Sequence, residues 1–497
     1  MARKLLGPAL VLAITVLAIT AHGAAEAASS GQEFRPALEG RNNQECASAE
    51  RPEKLIAACT RIIADRTRTA VEHAIALRNR GFVRQQRGEH AAAIADYTAA
   101  LELGLAAARS EGVMARTFVN RGLAHVALGR EDQALADFDA AIAADPTLPL
   151  GWRNRAAVRI GRGEPSGALA DLDEAARLSP GAPEVFLARA GVRGRLGDLD
   201  GAIADLSAAI ALAPQDAAAW RERGLAWQKK GEAARAEADA AEALRLDPRQ
   251  AGARRTRAQA LQALGRGEQA IAEFSRAIDL NPTDAELIKI RGDAYLAAGA
   301  RDLAIADFGR AVALDPGFRD AWNNRAVAWM QQDDWARAVA DLDRALAIDP
   351  RFVSALMNRA QALKSRGEVA RALADYDRVI ALDPARAAAW RDRAVLRLAR
   401  GDSAAAIADY TRAIELDPKD AAAWRGRGVA ELDLGRPKAA VADLSQALAL
   451  QPQDALALQR RSIALAALGE LARARQDDDA ALRLDPRLAQ AASGRRP

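Results

Sequence analysis

From residue 74 to residue 488 the apolar and polar positions of this chain recur with a fixed period. Prolines mark it: Pro146, Pro180, Pro214, Pro248, Pro282, Pro316, Pro350, Pro384, Pro418, Pro452 and Pro486 each lie 34 residues after the last. With that proline at position 32, units begin at 115, 149, 183, 217, 251, 285, 319, 353, 387, 421 and 455, and one more, without the proline, begins at Ala74. Apolar residues at positions four, eight and 11 share one stripe of a helix, and those at 20, 24 and 27 share one stripe of a second. Position eight is Gly, Ala or Ser in every unit, position 20 is Ala in all twelve, and position 27 is Ala in eleven, with Val379 the exception. Small residues there let two helices approach closely. Gly at position 15 in eleven units, with Asp333 in the other, predicts the turn between the helices. Asp-Pro pairs such as Asp315-Pro316 predict the end of the second helix, because the residue before proline resists the helical region. Each unit therefore reads as a helical hairpin that buries its faces only against its neighbours.

Two polar positions are as regular as the apolar ones. Position seven is Arg in all twelve units, from Arg80 to Arg461, and position 23 is acidic in all twelve, from Asp96 to Asp477. Both lie beside packed positions and should be half-buried. A half-buried guanidinium is favoured beside a carboxylate, whose geometry its planar fork matches. The reading is a ladder of internal ion pairs, within or between units. An anion-binding Arg track is the less favoured alternative, since a charge without a partner is costly to bury.

The period, the W-x-x-x-G/A pattern of the first helix (Trp152, Trp220, Trp322, Trp390, Trp424 at position four), the A-x-x-x-F/Y-x-x-A pattern of the second and the closing proline together resemble the tetratricopeptide repeat family. The resemblance covers 74–488, about five sixths of the chain. It implies an all-α solenoid: a right-handed superhelix of about twelve hairpins whose first helices line a concave, partner-binding surface. Arg at position seven departs from the family, which is usually apolar there. Arg254 departs at position four. Ala240 and Asp478 at position 24 predict weaker packing in units 217–250 and 455–488.

The divisions expected are a signal peptide over 1–27, an N-terminal segment over 28–73, a first repeat over 74–107, an insertion over 108–114, eleven repeats over 115–488 and a tail over 489–497. Arg3 and Lys4 precede an apolar run from Leu5 to Ala21, and Ala25-Glu26-Ala27 follows as a small-x-small cleavage site. The chain is therefore expected to be exported, periplasmic or secreted, without stable membrane insertion. An uncleaved membrane anchor is the alternative, because the run nears the length of a span. The insertion is expected to kink the array or lengthen a helix. Pro52 to Ile63 reads as the second helix of a degenerate unit starting at Pro36, which puts Cys46 at position 11 and Cys59 at position 24 on facing stripes. A bridge between these two, the only cysteines, is favoured over two buried free thiols by an oxidising compartment.

The resemblance implies that positions two, five, six, nine, 12 and 13 of the first helix face the groove. Position five is basic at Arg78, Arg153, Arg221, Arg255, Lys289, Arg391 and Arg425, and position six is Asn at Asn79, Asn120, Asn154, Asn324 and Asn358. Asn can bond an extended peptide's backbone through its donor and acceptor. The basic residues favour acidic side chains or a C-terminal carboxylate. The opposing reading is that exposed helix positions take Arg and Asn for solubility. No unit has Asn at position nine, so the family's carboxylate clamp for chaperone tails is absent; that position is mostly apolar.

Composition narrows the function classes. The 70 basic and 66 acidic residues leave a net charge of only +4, against a nucleic-acid protein. Two Cys and four His offer little for metal chemistry, and His73, His90 and His125 fall in separate helices. Gly161-Arg162-Gly163 sits at a hairpin turn after a helix, not after a strand as a phosphate loop requires. No catalytic residue, metal or cofactor is expected. The expected function is a non-enzymatic, exported scaffold that binds a protein or extended peptide. The alternative is an assembly component of an envelope complex, acting through its ends or by self-association.

Overall fold

The computed structural model describes Cys46, residues 52–107 and residues 111–488. The expected signal peptide and the tail over 489–497 lie outside the described residues. Among those described, twenty-five helices run from Pro52–Ala64 to Leu471–Leu484, and no strand occurs. The chain is an all-α solenoid of helical hairpins. It falls into two compact units, Met1–Glu273 and Phe274–Pro497.

The hairpins follow the period. Pro149–Gly161 and Pro165–Leu178 form one, and Ala387–Ala399 and Ser403–Leu416 form another. The turn works as the glycines predict. All eleven position-15 glycines have φ between 69° and 84°, and Asp333 is the one non-glycine among the described residues in that region, at 59°. Aspartate is among the few side chains that tolerate it. Several helices start on aspartates one residue before the unit: Asp420 accepts from the Ala423 amide and Asp454 from the Ala457 amide.

Close packing explains the small residues. The alanines at position 20 are almost completely buried, and at position 24 Tyr97, Phe138, Phe274 and Phe308 are fully buried. A Cβ on Gly122 would stand 2.6 Å from the Phe138 ring, so position eight of that unit has room for nothing larger. In the first compact unit, where Ala240 holds position 24, the core narrows to Ala243, Leu244 and Ala253 with Trp220 beside them. In the second, a continuous core runs through Leu342, Leu356, Leu363 and Tyr376. Asp478 lies exposed where ten other units bury a ring or Leu.

The helices flanking residues 108–110 are long. His90–Ala107 has 18 residues and Glu111–Ala127 has 17, against 14 in Glu131–Ala144. Towards the N-terminus, Cys46 and Cys59 are joined in a disulfide, and both are fully buried with Leu55, Ile62 and Ala76. No described helix is long and apolar enough to cross a membrane.

Candidate functional site

The position-seven arginines are held within the array by the position-23 acids. Every position-seven Arg meets the position-23 carboxylate of its own unit. Eleven of the contacts measure 2.6–2.8 Å, and Arg257 to Glu273 is 3.4 Å. The same guanidinium then reaches position 25 of the preceding unit: Thr98, Asp139, Asp173, Ser207, Ser275, Asp343, Asp377, Thr411 and Ser445 accept in turn. Thr60, which the degenerate alignment also puts at position 25, accepts from Arg80 at 3.0 Å. Wherever position 25 carries such an oxygen, the ladder ties a hairpin to its neighbour; Gly309 leaves Arg325 without that contact.

Aromatic rings complete the arrangement. Phe118, Trp152, Phe186, Trp220, Trp322, Trp390 and Trp424 at position four each lie under the Arg three residues on, at 4.7–5.6 Å. The five Trp also donate Nε1–H to the carbonyl of the preceding proline, as Trp390 does to Pro384 at 3.0 Å. Arg254 replaces that Trp functionally: its Nη2 donates to the Pro248 carbonyl at 2.9 Å and its Nη1 to Glu273 at 3.0 Å. Glu273, one methylene longer than the other ladder acids, serves both Arg254 and Arg257.

The open face of each first helix lies opposite its buried stripe. At 3.6 residues per turn, positions two, five, six, nine, 12 and 13 fall on one side, with position nine at its centre. In unit 387–420, Ala389, Ala394 and Leu396 are buried, whereas Arg391, Val395 and Leu398 are half-exposed.

The candidate basic residues on this face are largely engaged. Arg153 is only 3% exposed and its Nη1 donates to Glu184 at 3.2 Å. Arg221 pairs with Glu222 at 2.7 Å, and Lys289 with Asp293 at 2.8 Å. Arg391 bridges Asp392 and Asp420, both at 2.9 Å, and Arg425 pairs with Asp454. Asp420 and Asp454 are the helix-capping aspartates, a partnership that sequence reasoning missed. Arg78 donates to Asn79 Oδ1, and Arg255 is half-buried.

The asparagines divide in the same way. Asn79 Nδ2 donates to the Cys46 carbonyl at 3.1 Å, so the first of them already holds a backbone carbonyl of this chain. Lys289, Asp293, Asn324, Asn323 and Asn358 form one hydrogen-bonded chain across three first helices, with links of 2.7–3.1 Å. Asn120 is half-buried, and Asn154 is 2% exposed with its Nδ2 unpaired among the described residues. The structure therefore buries Arg153 and Asn154 within the array and leaves the rest of the candidates half-buried. Charge on this face is locally balanced. No group of three or more His, Cys, Asp or Glu among the described residues could hold a metal ion.

The tetratricopeptide repeat model matches residues 83–149, 119–183, 187–251, 228–285, 291–351, 392–455 and 426–489, and a second tetratricopeptide repeat model matches 360–423. No curated protein sequence matches the chain. Among solved structures, a tetratricopeptide repeat protein from Parabacteroides merdae is 19% identical over 50% of this chain and 99% of its own, with a TM-score of 0.40. Yeast Tom70 is 17% identical over 85% and 99%, with a TM-score of 0.37. YrrB, described as a TPR protein with an unusual peptide-binding site, is 24% identical over 37% and 95%, with a TM-score of 0.34. With the repeat model covering well over half of the residues and the hairpins repeating in register with it, the chain belongs to the tetratricopeptide repeat family.

Proposed function

We propose that the chain is an exported, non-enzymatic scaffold that binds a protein segment along the open face of its first helices. One observation carries the reading: half-exposed aliphatic residues occupy the centre of that face, at Val327, Val395 and Val429, flanked by amides and paired charges. A scaffold of this fold is consistent with protein–protein interaction. An acidic partner is less favoured than the count of basic residues implies, because a ligand carboxylate would have to displace Asp420 or Asp454 from its Arg. Export is supported by the residue pattern over 1–27 and by the Cys46–Cys59 bridge, which an oxidising compartment maintains.

The test is crosslinking capture from an extract of the source cells, with the chain and its Leu225→Glu, Val327→Glu, Val429→Glu triple variant as baits. These half-exposed positions leave the core intact, so helicity by circular dichroism should not change. Partners retained by the wild type and lost by the variant support the groove. Equal capture by both removes it. Self-association through the array's end is the second reading, favoured by Leu471, 57% exposed at the start of the last unit's second helix. Light scattering over a concentration series decides that: a monomer throughout removes it.

A further inference from the structure

Within Phe274–Pro497 the first helices are joined across the open face in two blocks. In the first block, the hydrogen-bonded chain through Asp293, Asn324, Asn323 and Asn358 links units 285–318, 319–352 and 353–386, with cross-unit bonds of 2.7 and 2.9 Å. The second block uses one device twice. The position-five arginine of one unit bonds the aspartate that caps the next first helix, Arg391 to Asp420 at 2.9 Å and Arg425 to Asp454 at 2.5 Å. These two staples join units 387–420, 421–454 and 455–488.

At the junction between the blocks three departures coincide. Position five of unit 353–386 is Met357, which has no charge to offer. The N-cap of Ala387–Ala399 is Arg386, where the next two units have Asp420 and Asp454; its side chain makes no capping bond, and its Nε donates to Asp383 at 2.9 Å instead. Both halves of the staple are therefore replaced. Val379 is the one residue larger than Ala at position 27, and it is fully buried in the core that runs on to Ala389 and Leu396. Its two added methyl groups take space through which helices approach closely in the other units. The ladder side, by contrast, stays tied. Arg393 Nη1 donates to Asp377 of the preceding unit at 2.5 Å and its Nη2 to Asp409 at 2.6 Å. Position seven stands roughly 160° round the first helix from position nine, the centre of the open face.

We propose that this junction is a joint built into the array. The blocks 285–386 and 387–488 move as bodies, the Arg393–Asp377 contact is the pivot, and the first helices Val353–Ser365 and Ala387–Ala399 part and close on the far side of it. Local opening starts where the fewest polar and packing contacts have to be given up. Here the uncapped end of Ala387–Ala399, the replaced staple and the Val379 wedge all fall on one interface. Stapled junctions hold their first helices by a charged bond at the same register, so they resist the same motion. The joint sets the separation of Gln361 and Val395, which hold position nine in the two helices. It does not depend on what the open face binds.

The test measures distances between paired spin labels in the full chain. Cys46 and Cys59 are the only cysteines and are bridged, so introduced cysteines alone take the label. One pair, Gln361→Cys with Val395→Cys, spans the joint. The other, Val395→Cys with Val429→Cys, spans a stapled junction at the same register. The first pair should give the broader distance distribution. Met357→Arg with Arg386→Asp installs the missing staple and its cap. It should narrow the first distribution to the width of the second and slow amide exchange in Ala387–Ala399 by at least about fivefold, the worth of one cap. Arg386→Asp alone supplies the cap without the staple, and should slow exchange while leaving the distribution broad. Equal widths for the two pairs in the unstapled chain overturn the proposal. So does a double variant that exchanges more slowly but keeps the broad distribution, since that is stability without a joint.

Discussion

Arg325→Leu isolates one rung of the ladder. Arg325 makes a two-pronged contact with Asp341, Nε to Oδ2 at 2.8 Å and Nη2 to Oδ1 at 2.7 Å, and lies 4.7 Å over the Trp322 ring. The Asp341 side chain is 8% exposed, whereas that of Arg325 is 21% exposed. Removing the guanidinium leaves a nearly buried carboxylate without its cation. Breaking a fully buried pair costs about 3–5 kcal/mol, and the partial exposure of Arg325 lowers that to about 2–4 kcal/mol. Repeat arrays open locally, so amide hydrogen exchange across residues 319–352 is the assay. The single change should speed exchange there by about 30- to 1,000-fold, with little effect on distant hairpins. Arg325→Leu with Asp341→Tyr restores an apolar pair and should recover at least half of the loss. If the double variant exchanges as fast as the single one, direct pairing does not account for the effect and the ladder argument fails.

Three further outcomes follow from neighbouring details. Gly309 holds position 25 in unit 285–318, so Arg325 lacks the cross-unit acceptor that Ser275 or Ser445 gives its counterparts. Gly309→Ser should stabilise that junction by about 1 kcal/mol and should match or exceed Gly309→Ala in thermal melts, despite the better helix propensity of Ala. His125 stands at position 11, where Arg84, Arg159, Arg193 and Arg397 bond the position-23 acid; its Nε2 is 3.9 Å from Asp137. Burial, reinforced by Arg121 and Arg130 and opposed by Asp137, lowers its pKa below the usual value of about 6.5. The folded state then binds fewer protons than the unfolded one, so unit 115–148 should lose stability as pH falls through about 6.5, and His125→Arg should abolish that slope in exchange measured at two pH values. Reducing Cys46–Cys59, which are 13 residues apart, should destabilise Pro52–Ala64 by at most about 3 kcal/mol. Mass spectrometry of the unreduced chain should find no alkylatable thiol.

The hairpins were legible because their causes recur at fixed positions: small residues at eight and 20, glycine at 15, proline at 32. The Arg–carboxylate rungs were legible for the same reason. Their cross-unit half was not, because position 25 changes identity among Thr, Ser and Asp while keeping an acceptor oxygen, and a search for identical residues passes over it. Arg254 read as a loss at position four, whereas its side chain takes over the Trp bond to the preceding proline. The groove was read least well. Arg153 and Asn154 share the spacing of exposed residues but are buried by their neighbours. Asp420 and Asp454 drew no reading from the spacing, yet they cap their helices and neutralise Arg391 and Arg425.

The most direct test of the scaffold account is a comparison of partner capture by the wild-type chain and by the Leu225→Glu, Val327→Glu, Val429→Glu variant at matched helicity. The account predicts specific crosslinked partners with the wild type and their loss with the variant, with melting and exchange of the ladder unchanged. Partners retained in full by the variant would contradict it and move the function off the open face of the first helices.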